Sequence, residues 1–225
     1  MIHSGSRNLG KKVADHYIKI ANDINEENGF EVPPSHDLAY LPMGHRETER
    51  YFMEMNYCLD FALSNRRAMM NIIRDIIDEH TDWDGCFKEV YNIHHNYCVL
   101  EEHFGESMWV HRKGATSAKE DEIGIIPGSQ GTKSYIVRGL GNPESFESCS
   151  HGSGRKMGRG QARRELNLEE EISKLNDQGI VHSIRTSQDL DEAAGAYKDV
   201  VQVMEQQKDL VEIVVELTPL AVIKG

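Results

Sequence analysis

Histidine is the residue to follow in this sequence, because imidazole can ligate a metal, exchange a proton near neutrality or attack phosphorus. Eleven histidines are present, and five stand where chemistry could use them. His3 opens "HSGSRNLG", His94 and His95 lie in "NIHHNYC", His111 opens "HRKGATS" and His151 lies in "SHGSGRKMGRG". The small neighbours Ser150, Gly152, Ser153 and Gly154 leave the His151 ring accessible, and successive backbone N–H groups there can surround an anion. Imidazole titrates near about 6.5, so the free base is available at neutral pH. Its attack on phosphorus gives a phosphoramidate, and Arg155, Lys156 and Arg159 would offset charge building on phosphoryl oxygens. The plainer reading is a glycine loop before a solvated basic helix start. Charge distribution favours the chemical one: the chain carries −12 overall, yet 151–164 holds five Arg or Lys and no acid. The acids of "NLEEEI" and "DLDEAAGAY" read as solvated surface.

Three further stretches join this loop. His3 can bind a metal while the backbone after it binds an anion, or its Ser-Gly turn can simply cap a helix through Ser4 or Ser6; the residues leave the two readings even. "NIHHNYC" reads as the end of a strand-like run, "EVYNIHH", in which His94 and His95 face opposite sides and only one can serve a given site. Asn96 can bond a phosphate or orient a ligand, and the competing reading is a histidine satisfied in a core. Cys98 and His103 match no zinc-finger spacing. In "IIPGSQGTKSY", residues Pro127, Gly128, Ser129, Gln130 and Ser134 form a loop whose amides and hydroxyls can approach a phosphate or base; a hairpin turn is the commoner fate.

The elements that must position these residues follow from hydrophobic spacing. Segments 6–27 and 46–80 carry apolar residues at helical intervals, the second as one or two helices. After Asp82 the texture changes to short apolar or alternating runs, "SMWVHR", "EIGIIPGS" and "SYIVRG". Short helices are predicted near 157–178 and 198–207, and the chain closes on "VEIVVEL" and "LAVIKG". Helices first and strands later predict an α+β fold, read as a single domain over 1–225. No apolar run reaches the roughly 18 residues of a membrane span, and "MIHSGSRNLGKK" has no signal-peptide core. The four cysteines, Cys58, Cys86, Cys98 and Cys149, form no CxxC pair, which fits a reducing cytoplasm. The acidic balance argues against nonspecific nucleic-acid coating, and no Gly-rich nucleotide fingerprint lies between a strand and a helix.

Taken in order, "HSGSRNLG", "HHNY", "HRKGAT", "PGSQGTKSY", "SHGSGRKMGRGQAR", "EAAGAYKD" and the final "VIKG" resemble the RtcB-type RNA ligases, over essentially the whole chain. The resemblance implies a GTP- and manganese-dependent enzyme that joins RNA 3′-phosphate or 2′,3′-cyclic phosphate ends to 5′-hydroxyl ends. It implies that His151 is guanylylated, that His3 and His95 ligate Mn2+, and that His95, Asn96, Pro127, Gly128, Ser129, Gln130, Ser134, Gly152, Ser153, Gly154, Tyr197 and Lys224 surround the guanylate. Arg155 and Arg159 are expected to meet nucleotide or RNA phosphates. The family also carries an upstream segment with an Asp-x-x-Cys pair and a Gly-Asn-His motif that complete the metal set, so this chain reads as the carboxyl-terminal portion. RNA ends, GTP, that upstream segment and an archease-like activator are the expected partners. A portion that binds GMP or RNA ends without turnover is the alternative, and a phosphohistidine phosphatase is disfavoured because no Arg-His-Gly signature is present.

Overall fold

The computed structural model describes residues 1–30, 38–82 and 89–223, which cluster into two compact units, Met1–Tyr97 and Cys98–Gly225. The first unit is built on two helices, α1 (Arg7–Glu27) and α2 (Arg46–His80). α1 buries Tyr17, Ala21 and Asn25, one residue per turn, and α2 buries Thr48, Met55, Cys58 and Ala62. That spacing is the face an amphipathic helix turns toward its neighbour. Asn25 is 2% exposed; its amide donates to the Tyr40 carbonyl at 2.7 Å and accepts from the Tyr40 N–H at 3.1 Å. A polar side chain therefore clips the chain before α2 back onto α1. The ring of His45 caps α2 by accepting from the Glu47 N–H at 3.2 Å. Ser6 stands at the N-cap of α1, but its side chain makes no capping bond.

One expected strand does not form. The run "EVYNIHH", residues 89–95, is irregular, and a strand begins only at Asn96. Side-chain bonds hold this stretch instead of a ladder: Asn92 accepts from Arg66 Nε at 2.6 Å and donates to the Leu63 carbonyl at 3.4 Å, both on α2. His94 and His95 thus precede the strand and do not alternate across it.

Strand β1 (Asn96–His103) leads into the second unit and pairs with β2 (Glu106–Lys113). Phe104 and Gly105, at φ 55° and 81°, form the two-residue turn between them, the conformation a twisted hairpin favours. Then come β3 (Ala115–Ser117), β4 (Ile123–Ile126), β5 (Ser134–Gly139) and β6 (Ser148–Ser150). Helices α3 (Arg159–Glu165) and α4 (Leu168–Asp177), strand β7 (Val181–His182), helix α5 (Val200–Gln206) and strands β8 (Val211–Leu217) and β9 (Ala221–Val222) complete the chain. β3 pairs antiparallel with β6, β4–β5–β8 form an antiparallel sheet in that order, and β7 pairs parallel with β9. Ala118, Ile126, Tyr135, Val137, Cys149, Val200, Met204 and Val211 form the core against one sheet face. A smaller cluster, with Leu175, Ile180, Ile184, Leu190 and Ala193, packs beneath α4. The architecture is α+β, helices early and strands with short helices after. Among the described residues no helix is long and apolar enough to cross a membrane.

Candidate functional site

In the first unit the fold brings His3 and His95 together. Their Nε2 atoms lie 3.4 Å apart and the rings meet edge to face at 5.1 Å. Two residues of α2 hold the segments that carry them. Asn65 donates to Ser4 Oγ at 3.1 Å and to the Gly5 carbonyl at 3.3 Å. Arg66 donates through Nη1 to the Ser4 carbonyl at 3.0 Å and through Nε to Asn92. Ligand nitrogens about 2.1 Å from a single ion stand about this far from each other, so the pair suits one metal. His94 faces Tyr97 instead, and burial followed by the nearby Arg66 charge lowers its pKa. Asn96 follows His95 as an exposed strand-end residue.

In the second unit β6 delivers His151. Ladder pairing with β3 runs through Ser150, the His151 N–H donates to the Gly114 carbonyl at 3.2 Å, and the Ser150 N–H donates to Gln207 Oε1 at 2.9 Å. Ser150 Oγ donates to the Gly152 carbonyl at 2.5 Å, and Gly154 turns the chain at φ 72°. Ser153 is buried. A Cβ on Gly152 would stand 3.2 Å from the Pro127 carbonyl oxygen, so the histidine loop lies against loop 127–134. That second loop is closed internally: the Gly128 N–H donates to Ser134 Oγ at 2.9 Å and the Ser129 N–H to Thr132 Oγ1 at 2.7 Å. Gly128 is required there, because a Cβ would come within 2.1 Å of the Lys133 carbonyl oxygen. Gln130 is 6% exposed and its backbone N–H reaches the Glu192 carbonyl at 3.5 Å. Its buried Oε1 has no donor among the described residues. An acceptor in that state calls for a ligand N–H or a water.

The basic run behind His151 is not left to solvent or ligand alone. Arg155 donates through Nη1 to Tyr197 Oη at 2.7 Å, through Nη2 to the Asp191 carbonyl, and stacks its guanidinium 4.7 Å from the Tyr197 ring centre. Glu192 pairs with Arg155 at 3.4 Å and Arg159 at 3.3 Å, and Asp191 pairs with Arg163 at 2.8 Å. The expectation that "DLDEAAGAY" is solvated surface is therefore corrected: Asp191 is 5% exposed and both acids neutralise the basic stretch. Arg155 and Arg159 thus share one carboxylate partner, Glu192. Tyr197 donates to Glu192, and burial together with that bond pushes its phenol up to about 12. It stays a neutral donor. Lys224 lies outside the described residues.

A buried charged cluster supports β6 and escaped the reading of single motifs. Arg112, 2% exposed, makes two bonds to Glu101 at 3.1 and 2.8 Å and also holds Ser148 Oγ at 2.9 Å and the Phe146 carbonyl at 3.0 Å. The signal was present in "HRKGAT", where a cation sits in an alternating strand on the inward side.

The family model described as tRNA-splicing ligase RtcB matches residues 1–225. The chain belongs to that family. It is 40% identical to RNA-splicing ligase RtcB of Escherichia coli K12, matching all of this chain and 55% of that protein. Against tRNA-splicing ligase RtcB of Thermococcus kodakarensis it is 33% identical over all of this chain and 52% of the relative. The corresponding protein of Methanopyrus kandleri is 34% identical, with 26% of its length covered. The chain thus spans about half the length, or less, of these curated relatives.

Proposed function

We propose that this chain supplies the nucleotide-transfer half of an RNA ligase that joins 3′-phosphate or 2′,3′-cyclic phosphate ends to 5′-hydroxyl ends using GTP. The observation that carries the reading is the His151 loop lying against loop 127–134, with a buried acceptor, Gln130 Oε1, left for a ligand donor. A guanine N–H has the donor chemistry that this acceptor lacks, and the small Gly152 and Ser153 leave room for a phosphate beside the ring.

In this reading the neutral His151 lone pair attacks the α-phosphorus of GTP. A P–N bond forms, the P–O bond to pyrophosphate breaks, and the imidazole sheds its proton. Water first opens a 2′,3′-cyclic end to the 3′-phosphate; a 3′-phosphate oxygen then takes the guanylate as the P–N bond to His151 breaks, and the 5′-hydroxyl, losing its proton, displaces GMP as the phosphodiester forms. Backbone N–H groups of the glycine loop after His151 and the hydroxyl of Ser153 orient phosphate oxygens. Tyr197, held neutral against Glu192, presents its ring beside Arg155 for packing a base. Asn96 and Lys224 are the remaining guanylate contacts in this assignment. His3 and His95 fit as two ligands of a manganese ion, which when bound acts as a Lewis acid toward phosphate oxygens. Manganese takes about six donors, so further ligands come from phosphates, water and residues beyond these two. An archease-like activator belongs to the same proposal.

The test is incubation with α-labelled GTP and Mn2+, with the unmatched part of the E. coli relative supplied in trans. Label on His151, absent from His151→Ala, supports the reading; equal label on both proteins refutes it. The coverage of about half the relatives favours one second reading, a portion that binds GMP or RNA ends without turnover. That reading predicts saturable GMP binding and no label or joined RNA even with the added part.

A further inference from the structure

The strand that presents His151 has a second edge. β6 pairs through one edge with β3, and the His151 N–H continues that side by donating to the Gly114 carbonyl at 3.2 Å. In an antiparallel pair the N–H groups of successive residues turn alternately toward and away from the partner, so those of Ser148 and Ser150 face away from β3. Among the described residues no strand meets them. Side-chain oxygens do. The Ser148 N–H donates to Ser145 Oγ at 3.2 Å, the Ser150 N–H to Gln207 Oε1 at 2.9 Å and, beyond them, the Gly152 N–H to Ser150 Oγ at 3.4 Å. Ser145 and Ser150 lie within three positions of their donors and belong to the same segment. Gln207 is 57 positions from Ser150 and belongs to another part of the fold. Its own place is fixed from several sides. It is 4% exposed. Its Nε2 donates to Met204 Sδ at 3.2 Å, its backbone N–H donates to the Met204 carbonyl at 3.3 Å, and its carbonyl accepts from the N–H groups of Leu210 and Val211 at 2.9 and 3.1 Å. Met204 and Val211 are core residues. The turn between α5 and β8 therefore holds the amide, which from there grips the residue immediately before His151.

We propose that Gln207 is a positioning residue for the nucleophile: by holding the Ser150 N–H it fixes the backbone from which the His151 ring is aimed at phosphorus. The inference rests on the guanylylation reading, which gives Gln207 no contact with the nucleotide. In that step the P–N bond forms as the P–O bond to pyrophosphate breaks, and the attacking nitrogen must stand in line with the bond that breaks. A misplacement of about 1 Å can cost about a hundredfold in rate. An error of this kind lowers the rate at saturating GTP and leaves GTP binding nearly unchanged, since every residue assigned to the guanylate is retained.

Two measurements test this, and the first needs no variant. Hydrogen exchange of single amides, followed by nuclear magnetic resonance in the 225-residue chain, should find the Ser150 N–H protected at least about tenfold more than that of Gly152, whose acceptor belongs to its own loop. Equal exchange at the two overturns the proposal. The second measurement is single-turnover labelling of His151 by α-labelled GTP and Mn2+, with the unmatched part of the E. coli relative in trans. Gln207→Met keeps an unbranched side chain and removes the acceptor oxygen. It should speed Ser150 exchange by about tenfold and slow labelling by about tenfold or more. The GTP concentration for half-maximal rate should stay within about twofold of the parent's. Gln207→Glu restores an acceptor oxygen at the same length and should bring the labelling rate back to within about threefold of the parent's. Labelling of Gln207→Met at the parental rate overturns the positioning role. So does slow labelling that Gln207→Glu leaves unrelieved, which marks a general loss of packing. A parent that takes no label counts against guanylylation itself, and Ser150 exchange then decides the anchoring alone.

Discussion

Arg112→Met tests whether the buried charge cluster holds the strand that presents His151. The substitution keeps an unbranched apolar stem and removes the guanidinium, whose bonds include two to Glu101, one to Ser148 Oγ and one to the Phe146 carbonyl. Glu101 is 9% exposed and, among the described residues, would keep His103 Nε2 at 3.0 Å and Lys119 Nζ at 3.2 Å. Removing one partner of a buried pair costs about 3–5 kcal/mol, a large share of a stability of about 5–15 kcal/mol. The acid limb gives an independent measure. Burial alone would raise the Glu101 pKa, but bonds from Arg112 and His103, with Lys119, outweigh it and hold the carboxyl at about 2 against an ordinary 4.5. The unfolded chain therefore takes up its proton first as pH falls. The contribution is complete above the ordinary value and is lost between there and about 2, amounting to about 3 kcal/mol at roughly 1.4 kcal/mol per unit. Urea unfolding followed by far-ultraviolet circular dichroism, at neutral pH and again near about pH 3, reads both effects. The parent should lose much of its advantage over Arg112→Met in acid. A variant within about 1 kcal/mol of the parent at neutral pH, or parallel acid losses in the two proteins, would refute the reasoning.

Gly128→Ala places a Cβ 2.1 Å from the Lys133 carbonyl oxygen and should cost more than about 1 kcal/mol and weaken GMP binding, read by denaturation and by calorimetric titration. Gly5→Ala, with no heavy atom within 4 Å of the new Cβ, should stay within about 0.5 kcal/mol. Tyr197→Phe keeps the ring under the Arg155 guanidinium at 4.7 Å but loses the hydroxyl bonds to Arg155 and Glu192; a cost of about 1–2 kcal/mol is expected by the same denaturation assay. Burial and Glu54 hold Tyr17 as high as Tyr197, so ultraviolet titration should find one fewer tyrosine ionising near about 12 in Tyr197→Phe than in the parent.

Some of this protein is legible in one dimension. The four-residue spacing of Tyr17 and Ala21 marks a helix face, because periodicity is a local property of the chain, whereas the burial of Asn25 depends on its bonds to Tyr40. The runs at 123–126, 134–139 and 211–217 announce β4, β5 and β8 for the same reason. The apolar run around His94 misleads, because its backbone groups are held by side chains of α2 rather than by a neighbouring strand, and no local pattern records which partner wins.

The ordered motifs place His151 in a glycine loop and identify the family, since residue types and their order are properties of the sequence itself. Only the tertiary structure sets Gly152 against Pro127, buries Gln130 Oε1 without a donor among the described residues, and joins Arg155, Arg159 and Arg163 to Asp191 and Glu192. Those carboxylates stand 28 to 37 positions from their partners in sequence. Charge neutralisation depends on distance in space and on the solvent removed between the groups, and the fold alone supplies both.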